Sequence, residues 1–386
     1  MDLTYTEEHK LIRKTARDFA LEKLAPGVAE RDEKAIFPRE QVRELGELGF
    51  CGMFVPEQYG GAGLDSISYC IAIEELSRVD ASTGVIISVT NSLAGYPIFK
   101  FGTEEQKQKY LVPLAKGEKL GGFCLTEPGA GSDAAAQTTT AVRDGDVYVV
   151  TGAKHFVSSG KNGDLFVVTV VTDKSKGVKG TSSLIIEQGT AGMTVQPPEH
   201  KLGIRGSDTH AITFEECRVP MANRLGNEGD GLKVALTALD SGRMGIAAQA
   251  LGIAQASLDE SLKYAHQRKQ FGQFLKDFQA IQFKLADMET RIQAGRLLLY
   301  QAALKKDRGE RHTKEVAMAK VYCSETAMWA STQAVQILGG YGFTKEYPVE
   351  RFMRDAKITE IYEGTSEVQR MVIAANLLAD WAKAHG

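Results

Sequence analysis

Hydrophobic positions change period twice along the chain. Up to about residue 118 they recur at helical spacing. Leu11, Ala16, Phe19 and Leu24 form one stripe. Leu45, Leu48 and Phe50 close a second, and Ile71, Ile73, Leu76 and Val79 begin another after the loop Tyr59–Gly63. From about 119 to 222 the runs become short and β-branched: Val147–Val150, Leu165–Val171, Leu184–Ile186. Asp144-Gly145, between Thr138–Val142 and Val147–Thr151, is a hairpin signal. No strand–helix–strand alternation occurs there, so the segment predicts an antiparallel sheet or barrel, not a doubly wound parallel sheet. From about 226 the helical period returns. Phe278, Ile281, Leu285, Met288 and Ile292 alternate three and four residues apart, the seam of a bundle. The expectation is an α+β multidomain chain: an N-terminal helical domain (1–118), a middle antiparallel β-domain (119–225) and a C-terminal four-helix-bundle domain (226–386). That order alone names no function.

Composition narrows the classes. At 386 residues the chain can bury a large core without staples. A net charge of −3 lacks the basic excess of a nucleic-acid binder, so no nucleic-acid partner is expected. No stretch of about 18 apolar residues predicts membrane insertion. Five cysteines, at 51, 70, 124, 217 and 323, include no C-x-x-C pair, which fits a reducing compartment. The seven histidines lack zinc-site spacings, so no metal is expected. Met1–Glu8 is acidic and polar and reads as neither a signal nor a basic transit peptide. The expected location is the cytoplasm of a bacterium, or the mitochondrial matrix for a processed eukaryotic chain.

Five segments have the composition of a site. Phe123-Cys124-Leu125-Thr126-Glu127-Pro128-Gly129-Ala130-Gly131-Ser132-Asp133 runs an apolar strand into a glycine-rich turn with hydroxyls. It suits a flat or anionic ligand, or is a plain turn. A nicotinamide fingerprint would need a helix next, and strand-like Thr138–Val142 follows. Phe156-Val157-Ser158 puts an aromatic and a hydroxyl at i, i+2, on one face of a strand. Arg268, Lys269 and Phe271 end one long helix and Gln279 opens the next. The cations could clamp a diphosphate or complement the helix dipole. In Gln336-Ile337-Leu338-Gly339-Gly340-Tyr341-Gly342, glycines end a helix and permit close backbone approach. In Tyr362-Glu363-Gly364-Thr365-Ser366-Glu367, Ser366 with Gln369 reads as a capping box. Glu363 just ahead of it is either a base beside apolar groups, with a raised pKa, or a dipole partner, a role Glu367 could also fill.

Taken in order, L-T-E-P-G-A-G-S-D, an aromatic with a hydroxyl, D-S-G-R, R-K-Q-F-G, Q-I-L-G-G and Y-E-G-T-S resemble the acyl-CoA dehydrogenase family, specifically its short-chain, butyryl-CoA dehydrogenase-like branch, across nearly the whole chain. The resemblance implies FAD lying between the β-domain and the C-terminal helices. Phe123, Cys124, Leu125, Thr126, Gly131 and Ser132 would line the flavin, with Phe156, Val157 and Ser158 flanking it. Arg268, Phe271 and Gln279, with Gln336, Ile337, Leu338, Gly339 and Gly340, would bind FAD from a neighbouring subunit. Thr365, Ser366 and Glu367 would complete that site. Ser132, Asp240, Ser241, Gly242, Arg243 and Gly364 would contact acyl-CoA.

Glu363 would take the α-proton of the thioester while a β-hydride passes to flavin. Its backbone N–H, with a flavin ribityl hydroxyl, would stabilise charge on the carbonyl oxygen. Electron-transferring flavoprotein would take the electrons, and a homotetramer is implied. Some members carry the base where this chain has Gly242. Glycine there fits the short- and medium-straight-chain branch and argues against the isovaleryl type. Many members have tryptophan and threonine where Phe156 and Ser158 stand. The same residues would serve an enoyl-CoA reductase in an electron-bifurcating complex, and branched or cyclic acyl groups remain open. An oxygen-reactive oxidase usually has a longer chain. A non-catalytic scaffold would have lost Glu363, Thr126 or Arg268.

Overall fold

The computed structural model describes residues 5–385. The reading of the N-terminus rests partly on residues 1–4, which lie outside the described residues. Helices fill the chain up to Ala115. The pair Ser66–Ser77 and Ala81–Val89 is buried along its whole length. Asp65 and Asp80 cap these two helices through their carboxylates. The predicted stripes are present, but Leu11 and Leu48 face solvent while Ala16, Phe19, Leu24 and Leu45 enter the core.

Eight strands form the middle sheet: β1 (Gly121–Cys124), β2 (Thr140–Asp144), β3 (Val147–Ser158), β4 (Leu165–Val171), β5 (Thr181–Glu187), β6 (Met193–Pro198), β7 (Thr209–Pro220) and β8 (Arg224–Leu225). Their order is β6-β7-β3-β2-β4-β5-β8, with β1 on β4. The expected antiparallel pairing dominates, with two parallel pairings added to it. β1 pairs β4 in parallel over four residues, and Thr140 of β2 meets Val171 of β4 in parallel. The chain reaches β4 from β1 only after passing through β2 and β3, a connection that periodicity does not encode. The remaining pairs are antiparallel, including the β2–β3 hairpin, whose Gly145 adopts φ 61°.

Four long helices follow: Gly231–Gln267, Gln279–Asp307, Thr313–Leu338 and Ser366–His385, with Val349–Thr359 between the last two. Met288 and Ile292 of the predicted seam are fully buried, and Ile281 and Leu285 pack on the same core. One continuous core joins the N-terminal helices to this bundle, while the sheet has its own. The five cysteines are buried free thiols. Among the described residues no helix is long and apolar enough to cross a membrane, and no group of three His, Cys, Asp or Glu side chains could hold a metal ion.

Candidate active site

Glu363 lies in the turn between Val349–Thr359 and Ser366–His385, with φ 55°. Left-handed backbone is costly for a residue with a side chain and persists only where neighbours enforce it. Here three donors do so through four hydrogen bonds. Arg243 Nε donates to the Glu363 carbonyl at 3.1 Å, and Gln369 Nε2 donates to the same oxygen at 3.2 Å. Gln369 Nε2 also reaches the Gly364 carbonyl at 2.9 Å, and Lys320 Nζ reaches it at 2.8 Å. The carbonyls of the turn are thus held from the long helix Gly231–Gln267, from Thr313–Leu338 and from the final helix. Among the described residues no backbone carbonyl accepts the Glu363 N–H.

The side chain turns inward onto Gly242. A Cβ at that position would stand 2.8 Å from Glu363 Cδ and 2.9 Å from Leu93 Cδ2, and would overlap Oε2. Glycine is therefore the residue that leaves room for the carboxyl. Among the described residues, buried Glu363 Oε2 has no hydrogen-bond partner. Burial raises the pKa to about 8, against the attraction of Arg243 and Lys320, which lowers it. A carboxylate that ionises near neutral pH and has a free oxygen is a competent general base. Arg243 is itself fixed by Asp240, Nη1 to Oδ1 2.9 Å, and Asp240 accepts from Thr313 Oγ1 at 2.8 Å. Tyr362 hydrogen-bonds Gln249, whose amide donates to the Ala81 carbonyl at 2.8 Å.

The capping box placed on Ser366 shifts by one residue. Thr365 Oγ1 accepts from Val368 N at 3.3 Å, so Thr365 is the cap. Ser366 is the first helical residue, and its Oγ is buried without a partner. Gln369 grips the Glu363 turn instead of reaching back to Ser366. The exposed Glu367 is held below the usual range, chiefly by the helix-start backbone N–H.

The glycine-rich loop is braced from beneath. The Glu127 carboxylate accepts from Thr138 N (2.6 Å), Thr138 Oγ1 (2.8 Å), Thr139 N (3.0 Å) and Lys154 Nζ (2.8 Å). The last pair is almost fully enclosed, 0% and 3% exposed at the side chains. These donors outweigh burial and hold Glu127 down to about 2. The loop above stays open: a Cβ at Gly129 or Gly131 would meet nothing within 4 Å, and Ser132 is exposed. Phe123, Leu125 and Thr126 are half-buried at its root, and Cys124 is buried. The Thr126 carbonyl accepts from His155 N at 2.8 Å, which ties the loop to β3.

On β3 the simple two-residue alternation fails. A bulge falls between Lys154 and Val157, and Phe156 takes φ 56°. The ring is swung out, 62% exposed and stacked on His155 at 4.2 Å, while Val157 is buried and Ser158 half-buried.

Arg268, Ile337, Leu338, Gly339 and Gly340 come together around a cavity of about 450 Å³ that Tyr341 also lines. The Arg268 guanidinium lies 5.9 Å from the Tyr341 ring centre. Gly339 has φ 63°, and neither it nor Gly340 would bring a Cβ against anything. A guanidinium beside bare backbone suits a phosphate-bearing group. Phe271 (94% exposed), Gln279 and Gln336 lie exposed outside its lining. No residue of the β-domain lines this cavity. The residues present therefore fit a flavin dinucleotide in two groups. The open loop with Phe123 and Thr126 suits a ring system, and the Arg268 cavity suits a diphosphate.

Helical, β and helical domains thus surround a buried carboxyl of raised pKa and an open glycine-rich turn, the arrangement a flavin-dependent dehydrogenase would need. Family models of the acyl-CoA dehydrogenase N-terminal, middle and C-terminal domains match residues 6–118, 122–217 and 229–378. The chain belongs to the acyl-CoA dehydrogenase family and is an FAD-dependent oxidoreductase. It is 51% identical over 377 residues to "Acyl-CoA dehydrogenase, short-chain specific" of Clostridium acetobutylicum, covering 98% of this chain and all of that one. Among solved structures it is similar to butyryl-CoA dehydrogenase from Megasphaera elsdenii (49% identity, TM-score 0.97, 98% and 100% of the two chains). It is also similar to a chain in the structure described as electron transferring flavoprotein of Acidaminococcus fermentans, towards a mechanism of flavin-based electron bifurcation (51%, 0.97, 98% and 100%).

Sequence reasoning missed Lys320, and it gave Gln369 the wrong task. Lys320 carries no local signal, being one of two lysines in the helix Thr313–Leu338. Its role arises only from the packing of Thr313–Leu338 beneath the Glu363 turn.

Proposed function

We propose that the chain oxidises short straight-chain acyl-CoA, such as butyryl-CoA, to the trans-2-enoyl-CoA, with Glu363 as the base. The observation that carries this is the buried, partnerless Glu363 Oε2 over Gly242, on a turn held by Arg243, Lys320 and Gln369. Bound FAD supplies the acceptor for the β-hydride. Glu363 accepts the α-proton at Oε2. Its own N–H, free of backbone acceptors, donates to the thioester carbonyl as charge develops there. Burial of the carboxyl excludes water from the base and raises its basicity. Asp240, Ser241, Arg243 and Gly364 border the thioester entrance, and Ser132 meets the substrate from the glycine-rich loop.

Phe123, Thr126 and Ser158 would hold the flavin ring, and Arg268 with the Gly339–Gly340 backbone would hold a diphosphate of FAD bound by a neighbouring subunit. That assignment is supported by the wholly C-terminal lining of the Arg268 cavity. A homotetramer is supported by the exposed apolar side chains Phe271, Phe283, Phe343 and Trp381 on the C-terminal domain. Electrons pass to electron-transferring flavoprotein, in the cytoplasm or a mitochondrial matrix.

The test is anaerobic bleaching of the bound flavin by a series of acyl-CoA esters. Butyryl-CoA bleaches fastest, and Glu363→Gln keeps FAD and thioester binding while losing reduction by about four orders of magnitude or more. Normal bleaching by the mutant removes Glu363 from the reaction. A second reading, enoyl-CoA reduction beside a bifurcating flavoprotein, is supported by the likeness to the Acidaminococcus fermentans structure. It predicts NADH-driven reduction of crotonyl-CoA only when such a flavoprotein is added.

A further inference from the structure

Lys320 is 0% exposed in the middle of Thr313–Leu338. Among the described residues its amine has one hydrogen-bond acceptor, the neutral Gly364 carbonyl at 2.8 Å. That is poor compensation for a buried charge, and packing alone would be better served by an apolar side chain of similar volume. The amine is nevertheless held on the carbonyl one residue from Glu363.

We infer that Lys320 is a positioning residue for the reaction: it pins the Gly364 carbonyl so that Glu363 keeps its left-handed turn, and it supplies the positive charge that favours the Glu363 carboxylate. The inference rests on the reading of Glu363 as base. The geometry gives two separable parts. The grip on Gly364 is shared with Gln369 Nε2, so the turn has a second donor when Lys320 changes. The charge is shared with Arg243, which hydrogen-bonds the backbone of Glu363 and is partly neutralised by Asp240.

The charged and titratable groups around the pair are few. Arg243 and Asp240 face it from Gly231–Gln267, the Tyr69 phenol from Ser66–Ser77, Glu360 and Tyr362 from the turn itself, and Glu367 from the final helix. Lys320 is drawn down to about 8, first by burial and then by the like charge of Arg243; Glu363, Glu360 and Glu367 pull the other way. An opposite charge nearby favours the ionised carboxyl and lowers its pKa. Lys320 and Arg243 hold Glu363 below the value that burial alone would set. Without Lys320 the base therefore titrates higher, and the acidic limb of its reaction moves to higher pH.

The test uses holoenzyme and two variants. Lys320→Met removes both charge and grip, and Lys320→Gln removes the charge while leaving an amide donor for Gly364. Butyryl-CoA-driven flavin reduction is followed by anaerobic stopped flow from pH 5.5 to 9. The Glu363 carboxyl is titrated separately by infrared difference spectroscopy, against Glu363→Gln. In both Lys320 variants the limb and the infrared titration shift upward together by a unit or more. At pH 6.5 that costs tenfold or more in kcat, with KM within about threefold. Lys320→Arg, which keeps charge and donors, keeps the limb within about 0.3 units.

A purely structural lysine would lower the melting temperature and FAD content and leave both titrations where they are. That outcome in Lys320→Gln overturns the inference, and this variant decides alone if Lys320→Met does not fold. If Glu363→Gln still reduces flavin, the base assignment itself has failed. If that mutant is dead and the Lys320→Gln limb is unmoved, only the present inference has.

Discussion

Gly242→Ala asks how closely the base must be placed. The added methyl would lie 2.8 Å from Glu363 Cδ and overlap Oε2, with Leu93 Cδ2 at 2.9 Å on its other side. Leu93 is 6% exposed and packed in the core, so the carboxyl, not the leucine, gives way. Reaching an ordinary contact requires Cδ to move by at least about half an ångström, and Oε2 by about 1 Å. A misplacement of about 1 Å costs roughly 10²-fold in rate.

Stability responds little, because two effects oppose. Alanine is better than glycine inside a helix by about 1 kcal/mol, and overpacking costs about 1–3 kcal/mol. The net loss is about 0–2 kcal/mol. Anaerobic stopped-flow reduction by butyryl-CoA should therefore slow by about ten- to a hundredfold. The flavin-to-protein absorbance ratio should stay at the wild-type value. A folded, FAD-replete Gly242→Ala enzyme that reduces its flavin within twofold of wild type would refute the placement of the carboxyl over this residue.

Three further outcomes are expected. Glu363 titrates near 8 in the fold and near 4.3 when unfolded, so the native state binds the extra proton and stability falls as pH rises from about 4.5 to 8, by at most about 1.4 kcal/mol per unit. Glu363→Gln lacks that slope. Calorimetry should show its advantage over wild type growing from pH 5 to pH 8, and a constant difference would contradict the raised pKa. Lys154→Met leaves Glu127 as an unpaired buried carboxylate and should destabilise by about 3–5 kcal/mol in urea unfolding, with weakened FAD retention because the glycine-rich loop loses its brace. Thr365→Ala should cost about 1 kcal/mol as a lost helix cap, whereas Ser366→Ala, whose hydroxyl bonds nothing, should change stability by less than about 0.5 kcal/mol. Equal losses would restore Ser366 as the cap.

Much of this molecule is legible residue by residue. Burial of Met288 and Ile292 follows from a 3.6-residue period, and the hairpin at Gly145 from the demand for positive φ. The domain order and the motif at Tyr362–Ser366 belong to the same class, because each depends on neighbours a few positions away. Other features join residues far apart in the chain, and local pattern carries no trace of them. The parallel pairing of β1 with β4 depends on where the chain returns, and the bulge at Phe156 on its register with β7.

The base shows the division most clearly. That Glu363 could act as one is written in its sequence neighbourhood. Its left-handed backbone, the room above Gly242 and the lysine beneath its turn exist only because three helices meet there. Desolvation and charge act through space, so the pKa of that carboxyl belongs to the packed structure and not to the segment that contains it.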